Sequence, residues 1–339
     1  MGAVLGLSKT LKKTSRAGLT LIDRHDYHLP RFMLPQALKD RSEEPNPIAI
    51  KKRAALPFEQ ILKGRNIRFI RGQAKAFGAS GRRLAVSGKL IPYDCLIIAT
   101  GSLPDFSEVA GAEGRAVPVQ GLADVFRMRN QVEFAVQTFK FSAAQKKMRL
   151  VTIGGGWRGA VLAGAVKSLA EQVSARFGLK RSQVEIVVLE SRSRAELDSK
   201  LLAALKKSGA TVRYSSRAVS AGDEAVLLAN GGTQPYNLLL WAGASRGAGL
   251  EGLVDEGGIK TDEHFSVNNF HRVYAVSSRP QGEYLARALP YYLNNRKTLF
   301  TYQAADSSRY PQDKSSLFGY ITGLAGFGGA LRYFFNSGR

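Results

Sequence analysis

Three glycines spaced as G-x-G-x-x-G, Gly154, Gly156 and Gly159, follow the apolar run Val151-Thr152-Ile153 and lead into Ala160, Val161, Ala163, Val166 and Leu169, spaced as one face of a helix. A strand, a glycine turn and a helix in that order suit the pyrophosphate of a dinucleotide. The chain turns tightly, the phosphates approach bare backbone, and the first amides of the helix face the negative charge. Beyond the helix, Val184-Glu185-Ile186-Val187-Val188-Leu189-Glu190 is an apolar strand ending on an acid, whose carboxylate could accept hydrogen bonds from a ribose. Gly159 and Glu190 lie further apart than the usual ~20 residues. The helix, or the loop around 177–182, must therefore be extended.

A second pattern of the same kind stands near the start. Leu19-Thr20-Leu21-Ile22-Asp23 is a β-rich strand closing on an acid, after a short helix expected from Leu7 to Thr14. If Gly6 is the third glycine of its turn, the first two fall on Met1 and Ala3, and the strand before them would precede the first residue. That strand is central in a doubly wound sheet, and its loss would leave two neighbours with unpaired backbone groups. Two explanations stand: the sequence begins late, which is preferred, or the gap is filled in another way. Further on, the run from Ile91 to Ile98 reads as a strand containing Cys95, and it ends in Ala99-Thr100-Gly101, small residues against which a planar cofactor could lie.

At 339 residues, two domains of ~150 residues are expected. With 44% hydrophobic residues, the chain has enough apolar material for sizeable cores. The 49 Lys and Arg against 27 Asp and Glu give a net charge of +22, a field that favours anionic partners, including anionic lipid. The basic residues come in short clusters such as Lys51-Lys52-Arg53, so a solvated basic surface ranks above a dedicated nucleic-acid face. A single cysteine excludes a dithiol or disulfide framework, and Cys95 reads as a small core residue. The four histidines and Cys95 show no zinc spacing. No signal peptide and no membrane-length apolar run is present, so an intracellular protein is expected.

Taken in order, these segments resemble the two-dinucleotide flavoproteins of the pyridine nucleotide-disulfide oxidoreductase superfamily, nearest the type II NADH:quinone dehydrogenase-like branch. Asp23, with Arg24 after it, matches the acid on the FAD ribose. Tyr93-Asp94 to Ala99-Thr100-Gly101 is similar to the segment beside FAD, and Gly154, Gly156 and Gly159 match the NADH glycines. Trp241-Ala242-Gly243 resembles the strand end over the nicotinamide half, and Gln281 to Ala286 resembles the helix after the last FAD contact. Two departures stand out. Ser277-Ser278 replaces the family's Gly-Asp, and the segment before Gln281 is short, which puts quinone reduction in question. Val161 and Ala165 stand where the family carries two glutamates.

The resemblance implies an α/β fold with two Rossmann-like domains, the NAD domain inserted into the FAD domain and the first FAD strand missing. The expected boundaries are an FAD domain at 1–115 and 251–310, an NAD(P)H domain at 116–250 and a C-terminal extension at 311–339. FAD contacts fall on Gly6, Asp23, Arg24, Ala99, Thr100, Gly101 and Ser278, and NADH contacts on Gly154, Gly156, Gly159, Glu190 and Gly243. No catalytic side chain is singled out, because flavin hydride transfer needs position more than acid or base. The expected activity is FAD-dependent NAD(P)H dehydrogenation with a quinone or other acceptor, in the cytoplasm or peripherally on the inner face of the membrane. The alternative is a binding or scaffold protein of flavoprotein ancestry that uses its basic surface on RNA, an assembly or a membrane. Glu190 leans the cofactor toward NADH, while Arg192 and Arg194 blur that preference. Three smaller expectations complete the sequence-based picture: an amphipathic helix from Glu196 to Gly209, short strands at 211–214 and 225–228, and an uncharged stretch from Leu317 to Leu331, followed by Arg332-Tyr333-Phe334-Phe335. That last stretch fits a packed strand and loop or an aromatic-basic membrane edge equally well.

Overall fold

The computed structural model describes residues 2–11, 18–39, 46–78, 82–142, 146–253, 258–293 and 302. The C-terminal stretch at 317–335 and the expected helix end at Thr14 lie outside the described residues. The chain divides into two compact units, one formed by 1–28, 56–103 and 246–339, the other by 29–55 and 104–245.

The first unit opens with helix α1 (Gly2–Leu11) and strand β1 (Leu19–Asp23). Two helices that belong to the other unit follow, α2 (Leu34–Leu38) and α3 (Pro47–Ala54). The sequence places 29–55 with the amino-terminal domain. In the structure Leu34 and Leu38 are buried, and the guanidinium of Arg129 donates to the Leu38 carbonyl at 3.0 Å, which ties the segment to the second unit. The chain then returns through helix α4 (Phe58–Leu62), strand β2 (Ile67–Arg71) and an antiparallel meander, β3 (Ala74–Gly78), β4 (Arg83–Val86) and β5 (Lys89–Pro92). Strand β6 (Leu96–Ile98) follows. The apolar run from Ile91 to Ile98 is thus two strands separated by a bend at Asp94 and Cys95. Cys95 packs beside Leu7, Tyr274 and Leu285, and burial pushes its thiol up to about 11, only partly opposed by Arg272.

In the second unit a parallel sheet is assembled from β7 (Ala116–Pro118), β8 (Met148–Ile153), β9 (Val184–Leu189), β10 (Thr211–Arg213) and, last in the chain, β14 (Leu238–Trp241). Its order is β7-β14-β8-β9-β10. The central strands are mostly apolar, as burial on both faces requires, and Arg149 of β8 pairs with Glu185 of β9 at 3.1 Å. Helices α5 (Leu122–Phe141) and α6 (Trp157–Arg176) cover one face. A three-stranded antiparallel sheet covers the other, formed by β11 (Ala218–Ala221), β12 (Ala225–Leu228) and β13 (Thr233–Pro235). Val226 and Leu228 of that sheet meet Val151, Leu189, Leu239 and Trp241. The long spacing between Gly159 and Glu190 is taken up by α6 itself, 20 residues long. Helix α7 (Ser199–Ser208) starts later than the sequence suggests, because Asp198 caps it by accepting from the Leu201 amide at 2.8 Å; Gly209 ends it at φ 65°.

The first unit closes with β15 (Val273–Ala275) and helix α8 (Arg279–Leu293). Its parallel strands form two separate pairs, β1 with β2 and β6 with β15. Helix α1 bridges the pairs. Val4 and Leu5 pack with Leu19, Leu21 and Phe69 on one side, while Leu7 packs with Ile97 and Tyr274 on the other. On the opposite face, Ile22 and Ile70 share a cluster with Ile98 and Val273. Among the described residues, β1 and β6 therefore each pair along one edge only.

Candidate dinucleotide sites

The glycine turn of the second unit is shaped by close approaches. Gly154 has φ 100°, outside the range of ordinary side chains, and a Cβ there would stand 2.7 Å from the carbonyl of Ala242. The turn therefore lies directly against the end of β14, which is why Trp241-Ala242-Gly243 belongs to the site. A Cβ at Gly159 would stand 1.8 Å from the Gly154 carbonyl oxygen, so only glycine lets α6 begin this close to the turn. Gly156 differs. It is the residue at which α6 starts, and nothing lies within 4 Å of where its side chain would project. The open side of the turn thus coincides with the N-terminus of a long helix, the arrangement that receives a phosphate group.

Glu190 follows β9 and is 2% exposed. Burial pushes its carboxyl upward, but hydrogen bonds and charge from Arg192, with a lesser contribution from Ser191, outweigh that and hold it below the ordinary glutamate range. Gly243 lies over the indole of Trp241, which donates to the Ala244 carbonyl at 3.0 Å. Arg158, in the first turn of α6, donates to the Gly243 carbonyl at 3.2 Å and to the Ser245 hydroxyl at 3.3 Å, fixing the loop beside the glycine turn. These residues could hold a dinucleotide: the turn and α6 its pyrophosphate, Glu190 its ribose.

The first unit gathers its own set. Asp23 ends β1, and its carboxylate accepts from the His25 amide at 2.8 Å; Arg24 donates to His25, which stacks on Tyr27 with ring centres 4.9 Å apart. Ala99, Thr100 and Gly101 follow β6, with the Thr100 hydroxyl donating to the Ala248 carbonyl and Gly101 at φ 82°. The end of β15 is adjacent, since the Val276 amide donates to the Ile98 carbonyl at 2.9 Å. Gly6 sits inside α1 rather than in a turn, and its missing side chain lets α1 approach α8. A Cβ at Gly6 would lie 2.5 Å from that of Ala286, and one at Gly282 would lie 2.9 Å from the Ala3 amide nitrogen. The two helices therefore run side by side in one direction with their first turns together, so both positive ends lie on the same side.

Ser278 serves α8. The Gln281 side-chain oxygen accepts from the Ser277 amide at 2.8 Å, the Ser277 hydroxyl at 3.0 Å and the Ser278 amide at 3.2 Å, while the Gln281 amide donates back to the Ser278 hydroxyl at 3.4 Å. This is a reciprocal helix cap of the S-x-x-Q kind. Ala165, one of the two positions where the resemblance implies a glutamate, is completely buried, and a carboxylate there would be buried with it.

Gly154, Gly156, Gly159, Glu190 and Gly243 come together in the second unit, and Gly6, Asp23, Arg24, Ala99, Thr100, Gly101 and Ser278 belong to the first. The sequence did not reveal Arg158, although an arginine within the glycine fingerprint is a usable signal, nor the contact of Gly155 with Glu190. Among the described residues, no cluster of His, Cys, Asp and Glu is placed to hold a metal, and no helix is long and apolar enough to cross a membrane.

Comparison with known proteins bears on the fold and the family. The type II NADH:quinone oxidoreductase of Haemophilus influenzae is 24% identical over 272 residues, covering 71% of this chain and 60% of its own length. A NAD-dependent persulfide reductase from A. fulgidus shares the fold with a TM-score of 0.63 at 18% identity, over 88% of this chain and 58% of that one. Plasmodium falciparum NDH2, solved in complex with NADH, gives 0.63 at 14% identity, over 81% of this chain and 61% of its own. The chain thus spans about three fifths of the length of these proteins. Residues 3–279 match the family model for pyridine nucleotide-disulphide oxidoreductases, and the chain belongs to that family.

Proposed function

We propose that this chain is an FAD-dependent NAD(P)H dehydrogenase, with NAD(P)H held by the second unit, FAD held by the first, and electrons passed to a quinone or another acceptor. The observation that carries the proposal is the turn at Gly154 to Gly159, closed on one side by Ala242 and open at Gly156 toward the start of α6. The family match supports a redox role over that of a scaffold. The name of the Haemophilus influenzae relative supports a quinone as acceptor. A net charge of +22 would favour peripheral contact with an anionic membrane surface, where a quinone is found.

In this reading the α6 amides and Arg158 position the pyrophosphate and Glu190 positions the ribose, so that the nicotinamide is directed past Gly243. In the first unit Asp23 accepts from a ribose hydroxyl, and the paired starts of α1 and α8 face the second pyrophosphate. A bound flavin supplies the two-electron chemistry; the protein supplies position and electrostatics.

The test is reconstitution. Purified protein incubated with FAD and desalted should retain the yellow flavin absorbance, which NADH bleaches without oxygen and a soluble quinone restores. Protein that retains no FAD and binds no reduced nicotinamide nucleotide would overturn the proposal.

A further inference from the structure

Glu190 is fixed on every side. Its amide donates to the Arg213 carbonyl at 2.9 Å, and its carbonyl accepts from the Ser216 amide at 2.8 Å. Its Oε1 accepts from the Arg192 amide at 2.9 Å and from Arg192 Nε at 3.0 Å, while its Oε2 accepts from Arg192 Nη2 at 3.0 Å. The carboxylate lies against the glycine turn, where a Cβ at Gly155 would be 2.7 Å from Oε2. Arg192 is held as firmly, because its own carbonyl accepts from the Ser215 amide at 3.0 Å.

A guanidinium is therefore clamped in two-point contact on the acid that would meet the ribose. An acid alone repels a 2′-phosphate, but an acid neutralised by a bidentate arginine does not. The Arg192 side chain is 46% exposed, and its Nη1 is not among the donors to Glu190, leaving it to reach a second anion. Other charged groups near Arg192 are Glu196, whose carboxylate accepts from the Ser193 amide at 2.6 Å, and Asp198, which caps α7. Arg194 is exposed and makes no bond to Glu190.

We infer that the ribose end of this site accepts both NADH and NADPH, with Arg192 as the residue that sets the ratio by neutralising Glu190 and donating to a 2′-phosphate. The inference rests on 154–190 being a nicotinamide-dinucleotide site.

Full-length protein is titrated with NADH and with NADPH by calorimetry, beside the variants Arg192→Gln, Arg192→Ala and Arg194→Ala. The two dissociation constants of the unaltered protein should agree within about tenfold, the size of one charge-assisted hydrogen bond. Arg192→Gln, which can still donate to Glu190, should weaken NADPH by about tenfold or more and leave NADH within about threefold. Arg192→Ala, which also frees the buried Glu190 carboxylate, should weaken NADPH at least as much, and Arg194→Ala should leave the ratio in place. NADPH binding should also fall more steeply with salt than NADH binding, a difference lost in Arg192→Gln. Binding of NADH with NADPH about a hundredfold weaker, or a ratio unmoved by Arg192→Gln, would overturn the inference while leaving the dinucleotide site intact. Binding of neither nucleotide would overturn both.

Discussion

Gly159 faces the carbonyl oxygen of Gly154 across the start of α6, with room for a hydrogen and no more, since a side-chain carbon would stand 1.8 Å from that oxygen. Backbone occupies the space, so a larger residue at 159 must push the turn or the helix aside. In Gly159→Ala the gain in helix propensity, about 1 kcal/mol, is opposed by overpacking of about 1–3 kcal/mol. The second unit should lose stability in urea unfolding, and reduced-nicotinamide binding should fall further than stability does, because the displaced turn is the binding surface. Unchanged binding in a stable variant would refute this role for the turn.

The contact between Gly6 and Ala286 makes a parallel case in the first unit. With a Cβ at Gly6 only 2.5 Å from that of Ala286, Gly6→Ala forces α1 and α8 apart, at about 1–3 kcal/mol. Ala286→Gly in the same chain should restore most of the loss, and the coupling is read from a double-mutant cycle in denaturant. Additive effects would show that the helices do not meet here in solution.

The Glu190–Arg192 pair predicts how stability responds to acid. The folded protein holds the Glu190 carboxyl below its ordinary value of 4.5, so its stabilising contribution is complete above that value and is lost as pH falls through the folded value. Arg192→Gln should raise that midpoint and flatten the difference between stability at neutral pH and at pH about 4. Thermal unfolding across this range gives the answer, and identical acid profiles would mean that the pair is not formed.

These three cases differ in how far the sequence foreshadowed them. Gly154, Gly156, Gly159 and Glu190 were visible because the fingerprint is local: its glycines answer to steric demands within one strand, turn and helix. The alternation of strands and helices around them gave the second unit's parallel sheet for the same reason. The clamp of Arg192 on Glu190 was not visible, since it depends on how the chain leaves β9 and meets Ser215 and Ser216. The recruitment of 29–55 to the second unit was hidden too, because it turns on contacts such as Arg129 with Leu38, far apart in the chain. The run from Ile91 to Ile98 read as one strand because apolar residues flank its single charge, Asp94, on both sides. Strand β5 pairs antiparallel in the meander while β6 pairs parallel with β15, and the bend at Asp94 and Cys95 lets one segment serve two sheets.

The start of α8 allows a test of whether Ser278 is a cap or a flavin ligand. Its hydroxyl and amide both engage Gln281, so Ser278→Ala and Gln281→Ala should each lower stability by about 1 kcal/mol. The double variant should cost less than their sum, because either change breaks the same reciprocal pair. Ser278→Asp separates the roles. Aspartate caps a helix as well as serine does and carries the charge that the sequence resemblance implies for this position, so stability should stay within about 0.5 kcal/mol of the unaltered protein. If the cap is all that Ser278 contributes, FAD retention in Ser278→Ala should match that of Gln281→Ala. A loss of FAD in Ser278→Ala alone, at equal stability, would instead make the hydroxyl a ligand, because only a direct contact distinguishes two residues of one cap.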